Sequence, residues 1–241
     1  MKTPIIAAVF LTLVFSTACL AQETKKWSDE AELSFVDTGG NSDTQTVSAK
    51  NLLKYQFSPK LTGTWKAGAL SGKTDNERNA ERFFTELRLD YALSERLYSY
   101  VNGGWLKDKF AGVSSRYYAG PGLGYKFLNG PKNFLAGEAG LNYVIEEYTN
   151  DTDRDYLGGR LFGLYEYHFN KKNKFAQSLE YLHDFDESTN YLINSETAVI
   201  SALNGNLSLK ASYIVNYDHD PVPSTLDTTD TIIAIALVAN F

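Results

Sequence analysis

The sequence lacks the features that mark disulfide-stabilised, helical membrane and nucleic-acid-binding proteins. Its 241 residues include one Cys, which excludes a disulfide framework. After the first 20 residues no stretch approaches the roughly 18 consecutive apolar residues that a membrane-spanning helix needs, which excludes a helical multi-span membrane protein. The 23 Lys and Arg are outnumbered by 29 Asp and Glu, so we expect no nucleic-acid partner. Aromatic residues are abundant instead, and 16 Tyr and 14 Phe beside 18 Gly and only six Pro favour strands over helices.

The first 21 residues have the pattern of a secretory signal peptide. Lys2 supplies a positive start, residues 5–15 form an apolar core, and the small residues Cys19 and Ala21 stand just before the predicted cleavage site. Removal of residues 1–21 would leave 22–241 as one outer-membrane β-barrel domain without any Cys. An alternative is a lipoprotein acylated at Cys19, although the residues before it match that motif less well.

Runs of alternating apolar and polar residues begin near Trp27 and continue to the C-terminus. The run at 116–127 is the clearest, with one apolar face and one polar or glycine-bearing face. Its Pro121 cannot donate to a β-ladder, so we predict a bulge or kink there. Twelve such runs lie near residues 28–37, 45–57, 61–71, 82–93, 97–107, 116–127, 133–147, 157–169, 174–185, 191–203, 207–217 and 229–241. The sequence therefore predicts an all-β fold of twelve strands.

The connections between these runs distinguish a membrane barrel from a soluble β-sandwich, which also alternates. Short turns near 58–60, 94–96, 129–131, 171–173 and 204–205 alternate with longer polar stretches at 38–44, 72–81, 108–115, 148–155, 186–190 and 218–228. Outer-membrane barrels have short turns at the periplasmic rim and longer loops outside. We predict a single antiparallel transmembrane β-barrel in a Gram-negative outer membrane. An even number of strands places both termini in the periplasm.

Aromatic side chains at the strand ends give a second indication of lipid contact. Five of the six even-numbered strands end in outward aromatic residues, which are Tyr55 and Phe57, Tyr91, Tyr125 and Phe127, Tyr167 and Phe169, and Phe241. Such rings collect at membrane interfaces. The last strand alternates apolar residues from Ile233 to Phe241, resembling the segment that the barrel-assembly machinery recognises during insertion. We therefore expect that machinery, outer-membrane lipids and lipopolysaccharide as partners, and a monomeric barrel.

Several segments resemble one protein family. They are the Gly-Gly-Asn-Ser-Asp-Thr stretch at 39–44, Asp-Lys at 108–109, residues 116–125, Asp-Pro-Val-Pro at 220–223 and Thr-Asp-Thr at 229–231. The chain resembles a family of unknown function whose members are called salt-induced outer membrane proteins. The resemblance spans nearly the whole chain after the signal peptide. It implies an outer-membrane barrel and brings no catalytic residues.

The inward face carries the candidate functional residues. In the predicted register the lumen is lined by Lys50, Lys66, Glu86, Arg88, Asp90, Arg116, Lys126, Glu138, Arg160, Glu166, Glu196 and Lys210. Two interpretations stay open: a closed structural or stress-related barrel with paired charges, and a narrow passive channel for ions or small polar solutes. Twelve strands lie between small filled barrels and wide porins, so strand number does not decide between them.

Enzymatic and metal-binding alternatives have weaker support in the sequence. His183 lies outward near an outer rim, where the base of an outer-membrane lipid hydrolase would stand, but Phe185 occupies the position of a partner Ser. Residues 151–155 imitate the start of a calcium loop, but Tyr156 and Phe162 stand where that loop needs Gly and Glu. We therefore predict no catalysis, no cofactor and no metal site.

Overall fold

Twelve antiparallel strands form a closed barrel in the computed structural model, which describes residues 25–38, 44–74 and 77–241. The strands are β1 (Trp27–Thr38), β2 (Thr44–Gln56), β3 (Leu61–Thr74), β4 (Glu77–Ala92), β5 (Leu97–Asp108), β6 (Val113–Asn129), β7 (Asn133–Tyr148), β8 (Asp153–His168), β9 (Asn173–Asp184), β10 (Tyr191–Ala202), β11 (Leu207–Asp218) and β12 (Thr229–Asn240). Each strand pairs with the next along the chain. None of the residues in this described part forms a helix long and apolar enough to cross a membrane. The predicted signal peptide at 1–21 and most of the family segment at 39–44 lie outside the described residues.

The barrel closes between its first and last strands, which confirms the predicted fold. β1 pairs with β12 from Glu30 opposite Asn240 to Ser34 opposite Ala236. Beyond this ladder the backbones of Asp29 and Phe241 exchange hydrogen bonds of 3.2 and 2.9 Å. Closure matters because an unpaired backbone group facing hydrocarbon costs several kcal/mol.

The two faces of the barrel differ as the alternation predicts. Outward side chains are apolar and exposed, and Ile233 on β12 shows 76% of its surface. Its inward neighbours on the same strand are covered, with Ala236 only 2% exposed. Three aromatic pairs, Tyr55 with Phe57, Tyr125 with Phe127 and Tyr167 with Phe169, meet edge to face at 4.9–5.2 Å along the short-turn rim. The outer surface therefore has an apolar band with an aromatic edge.

The opposite rim differs from the prediction of long loops. β3 continues to Thr74 and β4 begins at Glu77, although residues 72–81 were expected to form a loop. β8 begins at Asp153, so the predicted loop at 148–155 reduces to residues 149–152. The strands continue there because backbone N–H and C=O groups can pair whatever the side chains are. The sequence prediction relies on alternating apolar side chains, which these segments lack. Only the β9–β10 loop, residues 185–190, and the β11–β12 loop, residues 219–228, are longer than four residues in the part of the chain described.

Of the predicted bulge or kink at Pro121, the bulge is wrong. Pro121 lies opposite Val101 of β5, and β6 keeps one register against β7 on both sides of it. The irregularities of β6 lie between Val113 and Ser115 and between Lys126 and Leu128 instead. The ladder to β7 is interrupted at this point, because Gly120 and Pro121 have no pairing partner there. The backbones approach so closely that a Cβ on Gly120 would lie 1.7 Å from the carbonyl oxygen of Leu141.

Candidate functional site

A network of charged and phenolic side chains, called here the Glu138 network, lies along the lumen wall from β4 to β9. Glu138 accepts hydrogen bonds from Arg88 at 2.7 and 3.0 Å, from Arg160 at 2.7 Å and from the Tyr98 hydroxyl at 2.8 Å. Its side chain is only 6% exposed. A buried carboxylate with two guanidinium partners is held in one geometry, because charge-assisted hydrogen bonds are the strong ones.

Each of the two arginines also forms an ion pair with a second carboxylate. Arg88 also donates to Asp90 at 2.7 Å, and Arg160 donates to Glu180 at 2.7 Å. The Tyr100 ring lies between them, with Arg88 stacked 4.0 Å from its centroid and Arg160 donating to its hydroxyl at 3.0 Å. The network therefore joins strands that are far apart in sequence, and it leaves neither guanidinium without a carboxylate.

Glycines on β6 make room for the tyrosines of this network. A Cβ at Gly122 would lie 2.2 Å from the Tyr100 ring, and one at Gly124 would lie 2.1 Å from the Tyr98 ring. The rings thus lie over the stretch of β6 from Gly120 to Gly124, whose inward positions are all glycine. Beside them, the Tyr118 hydroxyl donates to Glu86 at 2.7 Å. The glycine-bearing face of the run at 116–127 is therefore the surface against which Tyr98 and Tyr100 pack.

A second network occupies the facing wall, formed by β10, β11, β1 and β2. Lys210 lies 2.9 Å from Glu32 and 2.8 Å from Glu196, and Lys50 lies 3.7 Å from Glu32. We call it the Lys210 network. Among the residues that the structure describes, no hydrogen bond or ion pair joins it to the Glu138 network. Each network therefore follows its own wall.

A third group, nearer the longer loops, is built around Glu146 of β7. Arg116 pairs with this buried carboxylate, and the hydroxyls of Tyr148 and Tyr156 also donate to it. A neighbouring buried carboxylate, Asp184, accepts from the side chain of Asn190 at 3.0 Å and from backbone N–H groups of the β9–β10 loop. These contacts fix the wall and one loop at that rim.

The β11–β12 loop, called here the crossing loop, extends over the mouth of the barrel. It reaches the β5–β6 connection, residues 109–112, although these strand pairs lie six strands apart in a ring of twelve. Gly112 has φ +78°, and a Cβ on it would lie 1.9 Å from the carbonyl oxygen of Val222 and 2.8 Å from the side chain of Leu226. Under this loop lies a cavity of about 360 Å³, bounded on its inner side by Arg88, Arg160 and Glu86.

The predicted lumen residues separate into those that the networks bring together and those that stand apart. The first set is Lys50, Lys66, Glu86, Arg88, Asp90, Glu138, Arg160, Glu196 and Lys210, with Arg116 in the Glu146 group. Glu166 pairs instead with Lys174 at 2.8 Å, and Lys126 lies 6.0 Å from the Tyr98 ring. Both are close to the short turns. That these residues line a conducting path stays a prediction.

Sequence reasoning missed the uncharged members of the site. Tyr98, Tyr100 and Asn102 share the inward register of β5 with no Lys, Arg, Asp or Glu between them. A search confined to ionisable groups passes over them. Extending the period-two alternation to Tyr and Asn would have found all three.

The residues considered for a lipid hydrolase and for a calcium loop make other contacts in the structure. The His183 ring stacks against Tyr181 at 5.9 Å and meets Phe185 at 6.0 Å, and its Nδ1 lies 3.3 Å from the Tyr181 hydroxyl. Residues 149–152 form a tight connection in which Asn150 accepts from Thr152 at 2.6 Å. Within 25–38, 44–74 and 77–241, no three His, Cys, Asp or Glu side chains have the arrangement of a metal site.

A closed antiparallel barrel with an apolar outer face and charged inner walls defines an outer-membrane β-barrel protein. Two solved structures share the fold. An outer membrane channel from Pseudomonas putida F1 aligns with TM-score 0.54 and 11% identity, over 89% of this chain and 94% of that one. The translocator domain of the autotransporter NalP from Neisseria meningitidis aligns with TM-score 0.50 and 10% identity, over 91% and 89%.

Residues 31–241 match the family model described as "Protein of unknown function, DUF481", and the chain belongs to that family. This confirms the family of unknown function indicated by the sequence segments. A relative in Escherichia coli (strain K12), the uncharacterized protein YdiY, is 24% identical over 217 residues, covering 90% of this chain and 84% of the relative.

Proposed function

We propose that the protein is a narrow passive channel of the Gram-negative outer membrane for ions and small polar solutes. The observation that carries this proposal is the division of the lumen charges between two walls. The Glu138 and Lys210 networks pair their charges along the wall, and in the described chain neither bonds to the other. A polar path between charged walls admits hydrated solutes, and its charges set selectivity.

The proposal includes an orientation and partners. Both termini and the short turns would face the periplasm, and the crossing loop would face outward among lipopolysaccharide molecules. The short turns support this orientation, because outer-membrane barrels have short periplasmic turns and longer outer loops. The aromatic pairs at Tyr55, Tyr125 and Tyr167 support a membrane interface at the short-turn rim. The barrel-assembly machinery would insert the chain through its last strand, and the barrel would work as a monomer.

Single-channel recording in planar bilayers tests the proposal. We expect small discrete conductance steps from the refolded protein, and larger steps from Arg160→Ala, because that change removes a long side chain from the Glu138 network. It also leaves Glu138 and Glu180 with less positive charge, so cation selectivity should rise. The matched control is Leu161→Ala on the adjacent outward position, which should conduct like the parent. Silence from the parent and from Arg160→Ala, with both heat-modifiable on gels as folded barrels are, would contradict the proposal.

A closed structural barrel is the second candidate, and one observation favours it. The side chains of Arg160 and Glu138 are only 10% and 6% exposed, so the middle of the lumen is well filled. In that case the two networks would serve only stability. The same recording distinguishes the candidates, since a closed barrel gives no steps in any variant that keeps the networks intact.

A further inference from the structure

We infer that the cavity beneath the crossing loop is a binding site for a small neutral polyhydroxylated solute, of the size of a monosaccharide. This inference deepens the proposed function and rests on it, because it names the class of solute that the channel would select. The cavity is bounded by the barrel wall, by Arg88 and Arg160 on the inner side and by Pro221 and Leu226 of the crossing loop. Its volume of about 360 Å³ lies at the small end of ligand pockets, which suits one sugar ring and not a chain.

Charge balance argues for a neutral solute. Five cations line the cavity, and each lies within 3.7 Å of a carboxylate. Arg82, for example, pairs with Asp108, and Lys66 pairs with Glu86 at 3.3 Å. The lining carboxylates Asp227 and Asp230 lie exposed at the mouth, where water screens them. A further lining carboxylate, Asp218, has no ion pair within the described chain and accepts the backbone N–H of Asp220 at 3.0 Å. The described interior therefore holds no unpaired cation that would retain an anion.

The hydrogen-bonding groups left over are of both kinds. Asn102 is 5% exposed and lines the cavity, and its buried Oδ1 has no hydrogen-bond partner among the residues described. A buried acceptor without a partner costs free energy, so a ligand donor would be favoured there. Arg116 also lines the cavity, and in the described chain its hydrogen bond to Glu146 uses only Nε, which leaves the terminal nitrogens as donors. A hydroxyl group both donates and accepts, so a polyol can satisfy both groups.

Aromatic side chains complete the lining. Phe84 and Phe162 border the cavity together with Tyr118 and Tyr156. Pockets for small molecules combine apolar and aromatic surface with a few polar groups that orient the ligand. The C–H face of a sugar ring fits the rings while its hydroxyls reach Asn102 and Arg116.

Saturation-transfer NMR on the refolded full barrel in detergent tests the site, with glucose as the probe and glucuronate and glucosamine as charged counterparts. Glucose should bind, and its affinity should fall about five- to tenfold in Asn102→Leu, which removes the acceptor. Asn51→Leu, the same substitution on the outward face, should bind like the parent. If Asn102→Leu does not fold, Asn102→Asp serves instead, and it should shift the preference from glucose to glucosamine.

Three results would overturn the inference. They are an absence of glucose binding, an unchanged affinity in the folded Asn102 variant, and binding of glucuronate or glucosamine about tenfold tighter than that of glucose by the parent. Binding is read without current, so the two proposals fail separately. A silent bilayer with intact glucose binding defeats the channel and keeps the site, whereas a conducting barrel that ignores glucose defeats the site alone.

Discussion

Neutralising Glu138 should destabilise the barrel more than neutralising a lumen carboxylate beside the short turns. Glu138→Gln keeps the shape and one carbonyl acceptor but removes the charge that faces Arg88 and Arg160, both within 2.7 Å. Removing one partner of a buried ion pair costs about 3–5 kcal/mol. Arg88 keeps Asp90 and Arg160 keeps Glu180, so we expect the lower end of that range, about 3 kcal/mol.

The free energy of unfolding from urea titration of the refolded barrel measures this loss. Glu166→Gln is the matched control, because Glu166 also faces inward and pairs with one cation, Lys174, but both side chains are more exposed. That pair should contribute about 0–1 kcal/mol. Equal losses in the two variants would refute the reasoning, since they would mean that the Glu138 network is no tighter than an ion pair beside a turn.

Two further predictions concern the loops. Gly112→Ala should displace the crossing loop, because the new Cβ would lie 1.9 Å from the oxygen of Val222, and limited proteolysis should then cut that loop faster. Gly205→Ala, in a turn with nothing within 4 Å of the added atom, should leave the cleavage rate unchanged. Arg154→Ala should speed amide hydrogen exchange in the β9–β10 loop, since Arg154 lies 3.4 Å from Glu187. Its cost in global stability should stay below about 1 kcal/mol because the pair is partly exposed, and a larger loss in urea titration would contradict this.

The strands could be predicted closely wherever lipid contact imposes alternation. The run predicted at 207–217 is observed as Leu207–Asp218, and that at 133–147 as Asn133–Tyr148. The prediction fails beyond the membrane band, where both faces meet water. There β8 begins at Asp153 and β4 at Glu77, and polar residues on the ladder look like loop in the sequence.

The site was less predictable than the strands. Alternation indicates that Arg88 and Glu138 both point inward, but it cannot show that they meet, because they lie on β4 and β7 and are separated by 50 residues in sequence. Their contact depends on Tyr98 and Tyr100 lying flat across β6, which in turn depends on Gly122 and Gly124. Such a sequence of contacts is a property of packing around a closed barrel, and no local pattern encodes it.

The width of the lumen follows from side-chain length and not from strand number. Twelve strands enclose more space than eight, yet inward Ala198 and Ala236 are only 3% and 2% exposed. A methyl group on a wide water-filled wall would be accessible, so longer side chains must cover these positions. Small residues on β10 and β12 thus accommodate long ones such as Lys210, while the glycines of β6 accommodate the tyrosines. Inward Ala and Gly residues take up little space on either wall. The long inward side chains therefore determine how much of the lumen is open.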